Sequence, residues 1–185
     1  MKTKRLAVIF PGMGYHKDKP LLYYSSKLVQ GKGYNIIDIE YRDLPEKVRG
    51  DAAKMKAAAD MAYVQAEEQL EGVTFAEYED ILFIGKSIGT VIAAKYAAAH
   101  DLNARQIWHT PVEAPFSFGL RNAVAFIGEA DPWSDLNNVR KLADENGIEL
   151  WTYPGCNHSL ESADVIRNIE YIKNVMCLTE EVVER

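Results

Sequence analysis

Six short apolar runs, each followed by a longer stretch or loop, leave this chain few folds to choose from. The runs are Arg5 to Phe10, Asn35 to Tyr41, Ile81 to Ile84, Gln106 to His109, Ala123 to Ile127 and Glu149 to Tyr153. Their hydrophobicity is continuous rather than alternating, as in strands buried on both faces. Most of the gaps between them carry helical periodicity, and strands alternating with helices make a parallel sheet with crossover helices.

Pro20 suits a first helical turn, and Gly31 and Gly33 suit its end, so a helix spans Leu21 to Gln30. Val48, Ala52, Met55, Ala59, Ala62, Ala66 and Leu70 step by three or four and predict one long amphipathic helix. A third helix runs from near Ser87 to about His100, and a fourth from Leu136 to Glu145. The last carries Val165, Ile169, Ile172 and Met176 on one face. The crossover from Thr110 to Asn122 is different. It holds Pro111, Pro115 and Gly119 and is about a dozen residues long, close to the minimum for joining parallel strands. A full helix is not expected there, and an inserted lid has no room.

With 185 residues, the pattern fills a single domain over 1–185. The formal charge of −6 argues against a nucleic-acid partner, which would need a basic footprint. Cys156 and Cys177 lie in no CxxC or Cys/His cluster, so neither a metal nor a disulfide framework is expected. Both read as free thiols in a reducing compartment. The basic start from Met1 to Arg5 imitates a leader, but its apolar run ends after five residues at Pro11-Gly12. No segment approaches the roughly 18 apolar residues of a membrane span. A cytoplasmic protein with no membrane partner is the expectation, and no oligomer is specified.

Chemistry concentrates where strands end. The third run leads through Gly85-Lys86-Ser87-Ile88-Gly89-Thr90 straight into a helix, which is G-x-S-x-G in a strand, turn, helix context. A chain of this composition contains roughly 0.03 such matches by chance. The turn places Ser87 in a strained backbone, and glycines at 85 and 89 relieve crowding around it. The Ile88 N–H, at a helix N-terminus, faces any oxyanion formed by attack of Ser87. A second donor is expected from the glycine-rich loop Pro11-Gly12-Met13-Gly14. Pro11 has no N–H, so Met13, or failing it Gly12 or Gly14, is the candidate; the glycines also serve simply to make a turn.

A serine hydroxyl needs a base, and the base an orienting carboxylate. The fifth run ends in Gly128-Glu129-Ala130-Asp131-Pro132-Trp133 and the sixth in Pro154-Gly155-Cys156-Asn157-His158-Ser159. Both loops lie at the carboxyl edge where α/β sheets place their sites. Asp131 is the expected acid and Glu129 the runner-up. Among the other histidines, His100 closes a helix and suits a surface cap, while His16 and His109 rim the site or pack in loops. Tyr15, Phe116 and Trp133 are candidate walls of an acyl pocket. Lys86 either favours an acidic acyl group or points to solvent.

The order Ser87, Asp131, His158 resembles that of the α/β-hydrolase superfamily, over nearly the whole chain from Arg5. Gly128-x-x-Asp131-Pro132 is similar to the family's acid loop, and Gly155-x-x-His158-Ser-Leu to the histidine loop of its small, lidless members. The resemblance implies a three-layer α/β sandwich, a six-stranded sheet of order 2-1-3-4-5-6, and a serine esterase or thioesterase needing no cofactor. Its partner would be a small-molecule acyl substrate. Acyl transfer on the same residues, or a non-catalytic binding protein that keeps the fold, are the alternatives. The two antiparallel strands that open many family members are missing. Two further features depart from the family pattern: Pro11-Gly12 stands where many members have His-Gly, and the elbow carries Lys86 before the serine. Two other motifs fail: Asp80 and the strand after it break a P-loop, and Gly12-Met-Gly14-Tyr-His-Lys17 does not complete a dinucleotide fingerprint.

Overall fold

The computed structural model describes residues 4–185; Met1 to Thr3, which open the basic start, lie outside them. The elements are β1 (Arg5–Phe10), α1 (Pro20–Gly31), β2 (Tyr34–Asp38), α2 (Ala52–Leu70), β3 (Asp80–Lys86), α3 (Ile88–Ala99), β4 (Arg105–His109), β5 (Ala123–Gly128), α4 (Leu136–Asn146), β6 (Glu149–Tyr153) and α5 (Val165–Glu184). All pairings are parallel and the sheet order is β2-β1-β3-β4-β5-β6, as expected.

Strand alternation sorts the core into layers. Ala7, Ile9, Leu82 and Ile84 face α1 and α5, meeting Leu21, Leu22, Val29, Val175 and Val183. Leu6, Val8, Phe10 and Phe83 face α2 and α3, against Ala62, Ala66, Leu70 and Ile92. Trp108, Ala125 and Ile127 lie under α4 with Val139 and Ala143. Helices on both faces leave the two ends of the sheet open, and only at those ends do charged side chains reach the strands.

Several boundaries differ from the sequence reading. β2 stops at Asp38 rather than Tyr41, because Gln65 and Gln69 of α2 take over the backbone groups of Arg42 and Glu40. α2 begins at Ala52, where the Asp51 carboxylate accepts the Lys54 N–H, rather than at Val48. Its buried positions start at Ala58; Met55 and Ala59 face a cleft instead. The Thr110 to Asn122 crossover holds only a short 3-10 helix, Ala114–Phe118. In α5 the core positions are Val175, Thr179, Val182 and Val183, while Val165 and Ile169 are exposed, so the expected apolar face is buried only in the second half.

At the amino end of the sheet, Asp80 accepts both Arg105 Nη2 contacts at 2.8 and 2.7 Å and hydrogen-bonds the Tyr34 hydroxyl, with Arg5 Nε 3.8 Å away. Asp80, Arg105 and Arg5 thus partner one another there.

Candidate active site

The carboxyl end is built on a sharp turn. Ser87 follows β3 directly with φ 56° and ψ −122°, a conformation that costs a non-glycine residue on the order of 1–3 kcal/mol. The turn is tight because β1 and α3 are pressed together behind it. A Cβ at Gly89 would lie 2.0 Å from the Phe10 carbonyl oxygen, and one at Gly85 2.7 Å from Thr90 Cα. No other residue fits either place. The Ser87 N–H donates to the His109 carbonyl at 3.0 Å, and its own carbonyl accepts from Thr90 N and Oγ1.

Ser87 Oγ lies 2.7 Å from His158 Nε2, and His158 Nδ1 lies 2.7 Å from Asp131 Oδ2. The other Asp131 oxygen accepts the Trp133 N–H at 2.9 Å. A carboxylate only accepts, so Nδ1 carries the proton and Nε2 is left to accept from the Ser87 hydroxyl. The Asp131 side chain is buried, whereas the imidazole keeps an open edge. Trp133 stacks on that imidazole with centroids 5.3 Å apart and planes at 26°. Glu129 points elsewhere, to Arg140 and Thr152.

Two loops from separate strands are locked together to bring this about. The Ala130 N–H donates to the Cys156 carbonyl at 2.9 Å, and a Cβ at Gly128 would come within 2.2 Å of that same oxygen. Thr110 Oγ1 holds the His158 carbonyl at 3.0 Å, and Asn157 Oδ1 accepts the Ser159 and Glu161 N–H groups. Burial holds the His158 imidazole below its ordinary value of 6.5. The Asp131 hydrogen bond opposes that shift, and the Lys86 and Arg49 charges add to it.

In the loop after β1, the Gly12 N–H donates to the Tyr15 carbonyl at 3.0 Å. That removes Gly12 from the candidate donors. Among the described residues, no acceptor takes the Met13 N–H, and Ile88, the first residue of α3, has no preceding helical carbonyl to bond. Gly12 itself sits against Ser87, its Cβ position 3.4 Å from the serine Cβ.

A cleft of about 1260 Å³ opens over Ser87 and His158. Tyr15 and Trp133, expected as walls, line it together with Met13 and His16; His16 is exposed, 3.6 Å from Asp18. Its apolar wall was not foreseen: Leu44, Pro45 and Val48 from the segment before α2, Met55 from α2, and Val91 from α3. Arg49 is also new to the site, its guanidinium 5.9 Å from the Trp133 ring and bonded to the Pro132 carbonyl.

Three expectations are corrected. Phe116 is no pocket wall; the 3-10 turn sends it into the core edge-on to Trp108, and Phe118 lines the cleft instead. His109 does not rim the site but is buried, stacked on Phe126 and bonded to Ser25 Oγ at 3.1 Å. Burial pushes it down to about 3, so it is neutral. Lys86 does not point to solvent: it is 1% exposed, with its ammonium 4.9 Å from the centre of the Tyr15 ring. His100, as expected, caps α3 at the surface, 2.8 Å from Glu67. Among the described residues, no group of three or more His, Cys, Asp or Glu could hold a metal ion, and no helix is long and apolar enough to cross a membrane.

No family model matches the chain. No curated protein matches it either. Solved structures do. Est1E from Butyrivibrio proteoclasticus superposes with a TM-score of 0.67 at 12% identity, over 100% of this chain and 90% of its own. XC6422 from Xanthomonas campestris, an α/β serine hydrolase without lid, gives 0.68 at 14%, over 100% and 84%. Esterase 2 of Thermogutta terrifontis gives 0.60 at 21%, over 98% and 84%. At such identities the likeness concerns the path of the backbone, and it extends over the entire sheet and all its crossovers. The chain therefore has the α/β-hydrolase fold, in an open form without a lid.

Proposed function

We propose that this protein is a serine hydrolase that cleaves a small carboxylic ester or thioester through an acyl-enzyme. The observation that carries the reading is the unbroken chain of two 2.7 Å hydrogen bonds from Ser87 Oγ through His158 to Asp131, at a strained turn facing an open cleft. The serine hydrolase and esterase names of similar structures support it.

Ser87 Oγ attacks the carbonyl carbon as His158 Nε2 takes its proton; the new C–O bond raises an oxyanion, which the Ile88 and Met13 N–H groups receive. Asp131 stabilises the imidazolium and fixes the ring. The imidazolium then protonates the departing alcohol or thiol, leaving the acyl group on Ser87. Water attacks next, again losing its proton to His158, and the carboxylic acid leaves as Ser87 is reprotonated. Two free cysteines, Cys156 buried and Cys177 exposed, fit work in a reducing cytoplasm.

A non-catalytic scaffold would be expected to hold Ser87 away from His158 and to fill the cleft with Trp133 or Phe116, the opposite of this arrangement. The test is p-nitrophenyl acetate hydrolysis followed from the first milliseconds. A burst of p-nitrophenol equal to the protein present, then a steady rate, is expected; no release above buffer would end the proposal. Added alcohol or thiol separates hydrolysis from acyl transfer by product.

A further inference from the structure

Lys86 is the buried charged group that this mechanism leaves idle. Its side chain follows Leu82 and Ile84 onto the α1 side of β3, in register with His109 of β4. It borders the cleft yet is almost fully buried. Among the described residues no carboxylate lies within salt-bridge distance of its ammonium. Burying a cation without such a partner is costly, and burial pushes it down to about 7, Lys19 adding to the shift and Asp131 opposing it. The Tyr15 ring lies against its ammonium, 4.9 Å from centre to Nζ. The lysine's contacts are with its neighbours.

Two neighbours matter. The first is Tyr15, whose ring lies under the ammonium, whose hydroxyl accepts the Leu21 N–H at 3.1 Å and whose carbonyl accepts the Gly12 N–H. Holding that ring holds the Gly12 to Tyr15 turn, and so the Met13 N–H. The second is the His158–Asp131 pair, which feels the charge directly. A fixed cation disfavours a second positive charge on the imidazole and favours the ionised carboxylate.

We propose that Lys86 is a positioning residue of the site, a buried cation that braces the Tyr15 turn and keeps His158 unprotonated and ready to accept. This rests on the hydrolase reading. The groups facing Lys86 are Asp131, Lys19, His109 and the Tyr15 phenol; those facing His158 are Asp131, Lys86 and Arg49.

The experiment compares wild type with Lys86→Met and Lys86→Gln, reading the His158 ring by NMR titration, with its resonance assigned by His158→Gln, and kcat/KM for p-nitrophenyl acetate across pH. Removing the cation should raise the His158 pKa by about half a unit or more and move the acid limb of kcat/KM upward with it. Near pH 7, kcat should fall about tenfold with KM unchanged, as the amide held by the turn loosens. Melting temperature should hold or rise, because an unpaired buried charge has gone; a merely structural lysine would lower it. Unshifted His158 titration in either folded variant overturns the proposal while leaving the hydrolase reading intact. A shifted titration with no activity in any form, wild type included, refutes the hydrolase reading instead. Tyr15→Leu gives an independent check: it keeps the charge, so it should lower kcat without moving the acid limb, and an unchanged kcat counts against the brace.

Discussion

At the amino end of the β3–β4 pair, Asp80 and Arg105 meet in a doubled contact completed by Tyr34 and Arg5. At the carboxyl end of the same two strands, Lys86 and His109 stand in register with no carboxylate between them, and the next residue, Ser87, has a positive φ. Both ends bring charged or titratable groups into a largely apolar sheet. One end satisfies them. The other leaves donors, strain and a cation with no carboxylate partner among the described residues close to an open cleft, and those are the conditions in which a hydroxyl, an imidazole and a carboxylate can be tuned for proton transfer.

The contrast can be broken at either end. The largest effect is expected from Ser87→Ala, which should lower kcat/KM for p-nitrophenyl acetate by about a thousandfold or more. Ser87→Gly should be equally inactive yet more stable than Ser87→Ala by about 1 kcal/mol in urea unfolding, because glycine takes the positive φ without strain. At the opposite end Asp80→Asn should do the reverse. Stability should drop by about 2 kcal/mol as Arg105 and Arg5 lose their shared carboxylate, while kcat/KM of the folded protein stays within about twofold. Activity lost in parallel with stability would mean that the two ends are not separate.

Smaller effects sharpen the picture through pH. His109 is neutral in the fold and pushed down to about 3, against 6.5 when unfolded. The unfolded chain therefore binds the extra proton, and this group's contribution is complete above pH 6.5 and lost progressively as pH falls towards 3. His109→Phe should flatten the acid side of the melting curve by up to about 1.4 kcal/mol per pH unit. The slightest shift concerns rate: His158 sits below 6.5, so kcat/KM should rise with pH through an apparent pKa under that value. An acid limb centred above 6.5 would contradict the geometry around the imidazole.

Much of this was legible in the sequence. Continuous apolar runs specify strands buried on both faces, and Ser87, Asp131 and His158 each lie just past one, so the topology that orders the strands also gathers the residues. What escaped was mostly direction. Phe116 and Phe118 are two apart in a 3-10 turn, and only the packed turn decides which of them meets Trp108. Lys86 could have been read: Leu82, Ile84 and Lys86 alternate onto one face, but a lysine at a strand end is ordinarily taken for a solvated one. Val165 and Ile169 carry helical spacing like the rest of α5, yet that end of the helix buries none of its residues. Leu44 and Pro45 of the cleft wall have no periodicity to betray them, since they lie in a loop with positive φ at Asp43 and Lys47, and Val48, whose spacing matches the helix, stays in that loop because the helix starts only at Ala52.

Labelling with a fluorophosphonate probe tests the central claim most directly, because only an activated serine attacks the phosphorus. The native protein should take up one probe per chain, recovered on Ser87 by peptide mass spectrometry, with labelling abolished in Ser87→Ala and in His158→Ala. A folded native protein that stays unlabelled, or one labelled equally in Ser87→Ala, would contradict the account.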